Sequence, residues 1–256
     1  MSSAPSSQGR CYICGRDIIP VPKGHTGPLR ADHATPDHVP PKGLFDTPKP
    51  DNLITVWACH ACNSRHSGFD ERLRVLAASE LQSNSAGKRI FMEKVIGSTM
   101  KRGRQFQFLA PIVQSFSSAS VQMPHGPLPI TKFRAPNPKE DVQLGVQSMV
   151  KGLLSNFYPG FSYHAHHFVV MDYHTATLAR PGGAAEWELL KGLLPHCIRD
   201  ARGHHREFLF WRHVDLAAAC GVWFLLFYEA LGFLVTHTTS AKWQEFSPGQ
   251  TKRSPP

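Results

Sequence analysis

The sequence predicts an α+β protein with a small N-terminal domain and a larger C-terminal domain of mixed antiparallel architecture. One observation is a polar, proline-rich segment enclosed by two cysteine pairs, Cys11 with Cys14 and Cys59 with Cys62. That segment is too short to bury a large core of its own. The other observation is that helical periodicity alternates, through the rest of the chain, with short runs of aromatic and β-branched residues. The 256 residues are 41% hydrophobic, which suffices for an ordinary core.

The N-terminal part contains a strand and a helix after its proline-rich loop. The run LITVWA, residues 53–58, has the branched and aromatic composition of a strand. Residues 68–80 have helical spacing, with Asp70 and Glu71 in the first turn. The local order is therefore strand, loop, strand, helix. A second helix, with basic residues at both ends, is predicted over residues 85–104.

The C-terminal part alternates helices with strands. Residues 106–135 alternate around the turn-forming sequence PHGP and predict a β-hairpin. A helix opens at the sequence APNPKED and runs to about Tyr158, with its apolar positions on one face. The later elements are a strand over 161–171, a short helix over 185–194, and strands near 207–213, 220–228 and 232–237.

These patterns divide the chain into five segments. They are a disordered tail (1–10), a small domain (11–84), a connecting region with the basic helix and the hairpin (85–137), a C-terminal α+β domain (138–246) and a second disordered tail (247–256). The first ten residues lack the apolar stretch of a secretory signal, so we expect a cytoplasmic protein.

One apolar run, residues 216–235, is long enough to suggest a membrane-spanning helix. It contains Glu229 and two glycines, and the sequence EALG splits it into two strand-length pieces rich in aromatic and branched residues. We therefore predict a buried β-hairpin and no membrane contact. A membrane-attached protein is the alternative.

Basic residues outnumber acidic ones, with a formal net charge of +9 at pH 7. The surplus concentrates in residues 79–140, which carry nine Lys and Arg against three Asp and Glu. Such a charge favours an anionic partner, nucleic acid or a membrane surface. We predict phosphate contacts in this region, with an ordinary solvated helix face as the alternative. The candidate residues are Lys88, Arg89, Lys101, Arg102 and Arg104.

The two C-x-x-C pairs predict a structural zinc site formed by Cys11, Cys14, Cys59 and Cys62. Two residues between thiolates allow one tight turn to present both sulfurs to a single ion, and two such turns complete a tetrahedron. The alternatives are a redox pair, or substitution of a cysteine by one of the nearby histidines, which are His25, His33 and His60. Cys197 and Cys220 lie alone in apolar surroundings and are expected in the core.

The candidate catalytic residues lie between the two cysteine pairs or directly after the second pair. An acid and a histidine, Asp37 and His38, precede the rigid Pro40-Pro41, and an Asn-Leu dipeptide at Asn52 follows. A second asparagine, Asn63, comes directly after the last cysteine. In this order the residues resemble the HNH endonucleases, the ββα-metal nucleases, in the branch braced by two zinc knuckles. The resemblance covers roughly residues 11–75.

The resemblance implies a ββα-metal domain that cleaves nucleic acid, most simply DNA. It assigns His38 as the general base, Asp37 and Asn63 as ligands of a catalytic Mg²⁺ or similar ion, and Asn52 as the residue that orients His38. The residue types suit these roles, because a neutral imidazole accepts protons near pH 7 and a carboxylate is a hard oxygen ligand. Many family members have a histidine at the position of Asn63, so His66, one turn on, is an alternative or additional ligand.

A second function remains open at this point. The same zinc-ordered segment, with an inactive nuclease loop, would serve as a nucleic-acid-binding module, and the departure at Asn63 favours that alternative. The histidine-rich run at residues 163–167 lacks a neighbouring carboxylate or cysteine pair, so we expect partly exposed strand residues there and no second metal site.

Overall fold

Helices and three antiparallel sheets make up the described parts of the chain. The computed structural model describes residues 9–80, 83–97, 117–123, 126–132, 139–173, 183–202 and 207–239. Within these ranges two sheets have two strands each and the third has five, and every pairing is antiparallel. The predicted mixed antiparallel α+β class is therefore confirmed.

The N-terminal part is a hairpin followed at once by a helix. Strand β1 (Ala34–Val39) pairs with β2 (Ile54–Cys59), and a 3-10 turn at Lys42–Leu44 lies in their connection. Helix α1 (His60–Ser79) begins directly after β2. The predicted order of elements is confirmed, but the predicted helix start at residue 68 is wrong, because the second cysteine pair itself spans the junction of β2 and the first helical turn.

Two further predicted elements follow α1. Helix α2 (Ser85–Ile90) begins after Asn84, whose side-chain oxygen accepts a hydrogen bond from the backbone of Gly87, and it continues into a π-helical turn at Phe91–Ile96. The rest of this predicted helix, residues 98–104, lies outside the described residues. The predicted hairpin is confirmed over its described residues, as β3 (Ser117–Met123) and β4 (Gly126–Lys132). The rest of the predicted stretch, residues 106–116, 124–125 and 133–135, lies outside the described residues.

The described residues of the C-terminal part form two helices and the five-stranded sheet. Its elements are α3 (Lys139–Phe157), β5 (His167–Tyr173), α4 (Gly183–Leu193), a 3-10 turn (Leu194–His196), β6 (Ile198–Arg202), β7 (Phe208–Asp215), β8 (Cys220–Phe227) and β9 (Leu231–Thr238). The strand order is β5-β9-β8-β7-β6.

Two elements differ from the prediction. The strand predicted over residues 161–171 begins only at His167, because backbone hydrogen bonds from Phe161 to Tyr158 and from His166 to Tyr163 fold the preceding segment into turns. Strand β6 was not predicted. It lies at an edge of the sheet, and its sequence IRDAR has little of the branched and aromatic character that marks the central strands.

Residues 216–235 form the predicted hairpin. Strands β8 and β9 pair over their whole length, and Glu229 lies in the turn between them with a φ of 58°. Across the described ranges no helix is both long and apolar enough to cross a membrane.

The N-terminal and C-terminal parts share one hydrophobic core. A single cluster of buried residues includes Val39 and Phe45 from the β1–β2 region, Val146 from α3, and Phe210 and Trp223 from the sheet. Gly152 of α3 makes the contact close, since a Cβ on this glycine would lie 2.5 Å from the side chain of Val39. The boundaries at residues 84 and 137 stay predictions.

The turn between β8 and β9 inserts Tyr228 into the N-terminal part. This side chain is fully buried, and its hydroxyl donates to the carbonyl oxygen of Leu44 at 2.7 Å. Its own carbonyl accepts from the backbone N–H of Asn84 at 2.9 Å, and a Cβ on Gly87 would lie 2.9 Å from its ring. Tyr228 therefore joins the sheet to the β1–β2 connection and to α2.

Replacing Tyr228 with phenylalanine should lower the free energy of unfolding by about 1–3 kcal/mol, because the buried carbonyl of Leu44 loses its donor. Urea denaturation followed by far-UV circular dichroism measures the change. The matched control is Tyr158→Phe, at a half-buried tyrosine, which should change stability by no more than about 0.5 kcal/mol. Equal stabilities of Tyr228→Phe and the parent would contradict the prediction.

Candidate metal centre and active site

The four cysteines of the two C-x-x-C pairs come together as predicted. Their sulfur atoms, in Cys11, Cys14, Cys59 and Cys62, all lie within 4.8 Å of one another, and the sulfurs of Cys14 and Cys59 are 3.9 Å apart. Tetrahedral zinc with Zn–S bonds of about 2.3 Å needs sulfurs about 3.8 Å apart. The cluster can therefore hold a structural zinc ion with sulfur ligands alone, without help from the neighbouring histidines.

Local backbone structure positions each pair. In the first pair, the N–H of Gly15 donates to the carbonyl of Cys11 at 2.8 Å, and Gly15 has a φ of +74°, which favours glycine. In the second pair, Cys59 ends β2 and Cys62 lies in the first turn of α1. The N-terminal end of a helix favours negative charge, which offsets part of the cost that burial imposes on a thiolate at Cys62.

Burial opposes ionisation of these thiols when no cation is bound. It raises the pKa of Cys11 to about 11 and the pKa of Cys62 further. Burial acts in the same direction on Cys14, but hydrogen bonds from the backbone of Arg16 and from the other thiols outweigh it and lower the pKa of Cys14. Four adjacent thiolates therefore need a bound cation, which is the behaviour of a structural metal site.

The other two cysteines lie outside this cluster. Cys197 and Cys220 are both partly exposed, so the prediction that they belong to the core is wrong. In the described residues the only group of three or more metal-ligating side chains of the Cys, His, Asp and Glu types is the four-cysteine cluster.

His38 lies on β1 directly opposite Thr55 of β2. Its Nδ1 is 3.1 Å from the hydroxyl of Thr55, which fixes the orientation of the ring. Partial burial, followed by the positive charges of Lys42 and Lys49, lowers the pKa of His38 below its usual value. The imidazole is therefore neutral at pH 7 and has one nitrogen free of its proton.

Asp37 is held on the opposite side of β1 from His38, as alternation along a strand requires. One carboxylate oxygen accepts from the hydroxyl of Tyr12 at 2.7 Å, and the other accepts from the backbone N–H of His38 at 2.8 Å. Burial raises the pKa of Asp37 in spite of these two hydrogen bonds.

A second carboxylate, Asp70 of α1, lies near Asp37. Burial, followed by the charge of Asp37, raises the pKa of Asp70 to about 7. Two partly buried carboxylates that act on each other in this way repel, and a cation bound near both would lower that cost. Asp37 and Asp70 are thus oxygen donors of the kind that Mg²⁺ prefers.

The remaining site residues that the resemblance implied take different positions. Asn63 donates its amide N–H to the hydroxyl of Thr35 at 3.1 Å and to the carbonyl of Pro36 at 3.3 Å, which ties the start of α1 to β1. His66 is buried against α3, with its Nε2 3.5 Å from the hydroxyl of Ser148. These contacts favour Asn63 over His66 as a neighbour of Asp37.

Asn52 is exposed in the turn before β2, and the His38 ring contacts Thr55 in its place. Within the described part of the chain, the side-chain hydrogen-bond partner of the His38 ring is thus Thr55, where the resemblance implied Asn52. The signal that could have found Thr55 is the pairing of the two predicted strands, because their register places it opposite His38. Tyr12 and Asp70 gave no signal in the sequence, since their proximity to Asp37 depends on how the helix and the first cysteine pair pack.

The predicted phosphate-binding residues are only partly described. Lys88 is exposed at the end of α2, whereas Arg89 is ion-paired with Asp46 at 2.6 Å. The other three, Lys101, Arg102 and Arg104, lie outside the described residues. The cations that the structure brings close to His38 are instead Lys42 and Lys49, both exposed in the β1–β2 connection.

Comparisons of the chain with models of protein families, with curated proteins and with solved structures find no match.

The purified protein should contain about one zinc per chain, because four sulfurs within 4.8 Å of one another can form a closed site. Cys14→Ser, at the exposed ligand, should lose most of that zinc to a chelator that the parent protein resists. Cys197→Ser is the matched control and should keep the parent content. Elemental analysis after dialysis against the chelator measures both. Zinc retained by Cys14→Ser at the parent level would contradict the assignment.

Proposed function

We propose that this protein is a metal-dependent endonuclease that hydrolyses phosphodiester bonds of nucleic acid, most simply DNA. One observation carries the proposal. An acid and a histidine, adjacent on β1, face opposite sides of a hairpin that runs directly into a helix, and a four-cysteine cluster braces the whole. Each of the two side chains is held by its own hydrogen bond, from Tyr12 to Asp37 and between Thr55 and His38.

His38 is the proposed general base. If its Nδ1 carries the proton and donates to the hydroxyl of Thr55, its Nε2 has the lone pair that removes a proton from water. The lowered pKa keeps that lone pair free at pH 7. A ring already oriented by Thr55 loses little freedom on reaching the transition state, which is the advantage of a preorganised base.

Asp37 is the proposed anchor of the catalytic cation, with Asp70 as its partner and Asn63 as a neighbour on the same side of α1. Mg²⁺ or a similar ion bound there would neutralise the charge that develops on the phosphate and on the leaving oxygen. Tyr12 orients the Asp37 carboxylate and keeps one of its oxygens engaged. The four cysteines would hold the structural zinc, away from the reacting atoms.

Lys42 and Lys49 are the proposed contacts of the scissile strand. Both are exposed, and both act electrostatically on His38, so a phosphate placed beside the base would lie within reach of their ammonium groups. The net charge of +9 supports the approach of an anionic polymer.

A nucleic-acid-binding module without catalysis is the second candidate. It is favoured by Asn63, whose amide is engaged by Thr35 and Pro36, and by the exposure of Asn52 away from His38. In that function the same cations and the zinc-ordered segment bind a phosphate backbone and no bond is broken.

His38→Ala should lower the rate of Mg²⁺-dependent cleavage of supercoiled plasmid by at least about 100-fold, because the general base is removed. Gel analysis of nicked and linear products measures the rate. The matched control is His213→Ala, at an exposed histidine of β7, which should cleave at the parent rate.

The two candidate functions give different results in this assay. The parent protein could hold zinc and retard plasmid, yet cleave no better than His38→Ala with Mg²⁺, Mn²⁺ or Co²⁺. That result would contradict the nuclease proposal and support the binding module.

Asp70→Asn should raise the Mg²⁺ concentration needed for half-maximal cleavage by about tenfold or more, because it removes one of two carboxylates at the proposed cation site. Asp215→Asn, at an exposed carboxylate at the end of β7, is the matched control and should leave the Mg²⁺ dependence unchanged. An unchanged dependence in Asp70→Asn would remove Asp70 from the site and leave Asp37 with Asn63.

A further inference from the structure

A pocket of about 740 Å³ lies beside the proposed active site. Its walls are the first cysteine-bearing turn, the outer edge of β2, the C-terminal end of α3 and the turns at residues 158–164. The volume is within the range of pockets that take small organic molecules or parts of larger ligands. Neither the zinc site nor the proposed catalytic cation would occupy this pocket.

The pocket shares two wall residues with the proposed catalytic centre. Thr55, which contacts the His38 ring at 3.1 Å, lines it, and so does Tyr12, whose hydroxyl donates to Asp37 at 2.7 Å. A ligand in the pocket would therefore be separated by one residue from the proposed base, and by one residue from the proposed cation anchor. A polymer bound at the active site can place its adjoining unit there.

Aromatic rings and polar groups line the pocket together. Trp57, Tyr158 and Phe161 are half-buried residues of the pocket wall, and the exposed Asn156 adds an amide with both donors and an acceptor. This combination suits a flat, polar-edged ring, which can stack on an aromatic face and hydrogen-bond at its edge. A purely apolar ligand would leave the amide unpaired.

The edge of β2 adds backbone groups to this wall. The carbonyl of Trp57 accepts from the N–H of Tyr12 at 3.1 Å, on the side of β2 away from β1. In an antiparallel pair the backbone groups alternate in direction, so those of Thr55, two residues earlier, point to the same outer edge. Thr55 thus directs both its side chain to His38 and its backbone to the pocket.

We propose that this pocket binds a nucleobase of the substrate strand, unstacked from its neighbours, next to the phosphate that is cleaved. This inference rests on the proposed nuclease function and names the form of its substrate, a single strand or a locally opened duplex. Trp57, Tyr158 and Phe161 supply the stacking surface, and Asn156 with the backbone of Thr55 meets the polar edge of the base. Arg10 also lines the pocket, exposed and paired at 3.3 Å with Asp17, and would meet the adjoining phosphate.

Fluorescence anisotropy with two labelled probes of equal charge tests this inference. One probe is a thymidine hexanucleotide, and the other is a hexamer of abasic deoxyribose phosphates, which has the same backbone and no bases. Both are titrated with His38→Ala protein and no added divalent ion, so that cleavage does not interfere. The thymidine probe should bind about tenfold to a hundredfold more tightly, because base stacking adds to the phosphate contacts.

Trp57→Ala should abolish most of the difference between the probes, and Trp211→Ala, at a tryptophan of β7 outside the pocket, should preserve it. If Trp57→Ala does not fold, Asn156→Ala replaces it, since an exposed residue tolerates substitution and its loss should reduce the difference severalfold.

Equal binding of the two probes, or binding of neither, would overturn the pocket assignment. If the two probes bind differently in a Trp57-dependent way and the protein never cleaves plasmid, the pocket assignment stands and the nuclease proposal is overturned. If the protein cleaves plasmid and binds the two probes equally, the nuclease proposal stands and the pocket assignment is overturned.

Discussion

The four-sulfur cluster is the constraint on which the N-terminal part depends. It joins a turn at Cys11 and Cys14 to the junction of β2 and α1 at Cys59 and Cys62, so the segment between the two pairs is closed into a loop. A segment of this size has little apolar surface of its own to compensate for the entropy of ordering it. Metal binding at such a cluster would contribute directly to folding, and it would hold β1 and the His38 side chain in register with β2.

Contacts from the C-terminal part further stabilise the segment that the cysteine cluster closes. Helix α3 packs on the β1–β2 hairpin, where Gly152 contacts Val39. Its Lys151 ammonium donates to the carbonyl of Ile13 at 3.4 Å, and Ile13 lies between Cys11 and Cys14. Burial lowers the pKa of Lys151, and the negative charge of the nearby cysteine thiolates acts in the opposite direction. The Lys151 ammonium therefore lies close enough to the cluster to balance part of the excess negative charge that a four-thiolate zinc site would carry. The sheet adds Tyr228 beneath the β1–β2 connection.

The sequence was informative where the determinants are local. Cysteine spacing predicted the cluster, and short runs rich in aromatic and branched residues predicted β7, β8 and β9, because both patterns lie in short stretches of chain. The start of α1 was missed because Cys59 is at once the last residue of a strand and the cap of a helix. Thr55, Tyr12 and Asp70 were missed since their roles depend on the register of two strands and on the packing of α1, which no single stretch encodes.

The hydrogen bond from Tyr228 to Leu44 spans 184 positions of the chain. A ribosome that adds 5–20 residues per second makes the donor roughly 10 to 40 seconds after the acceptor. During that interval the cysteine cluster can already bind metal, but the connection after His38 lacks its support from the sheet. A polypeptide released before the β8–β9 turn is made would therefore carry every residue of the proposed catalytic centre without the contact that steadies it.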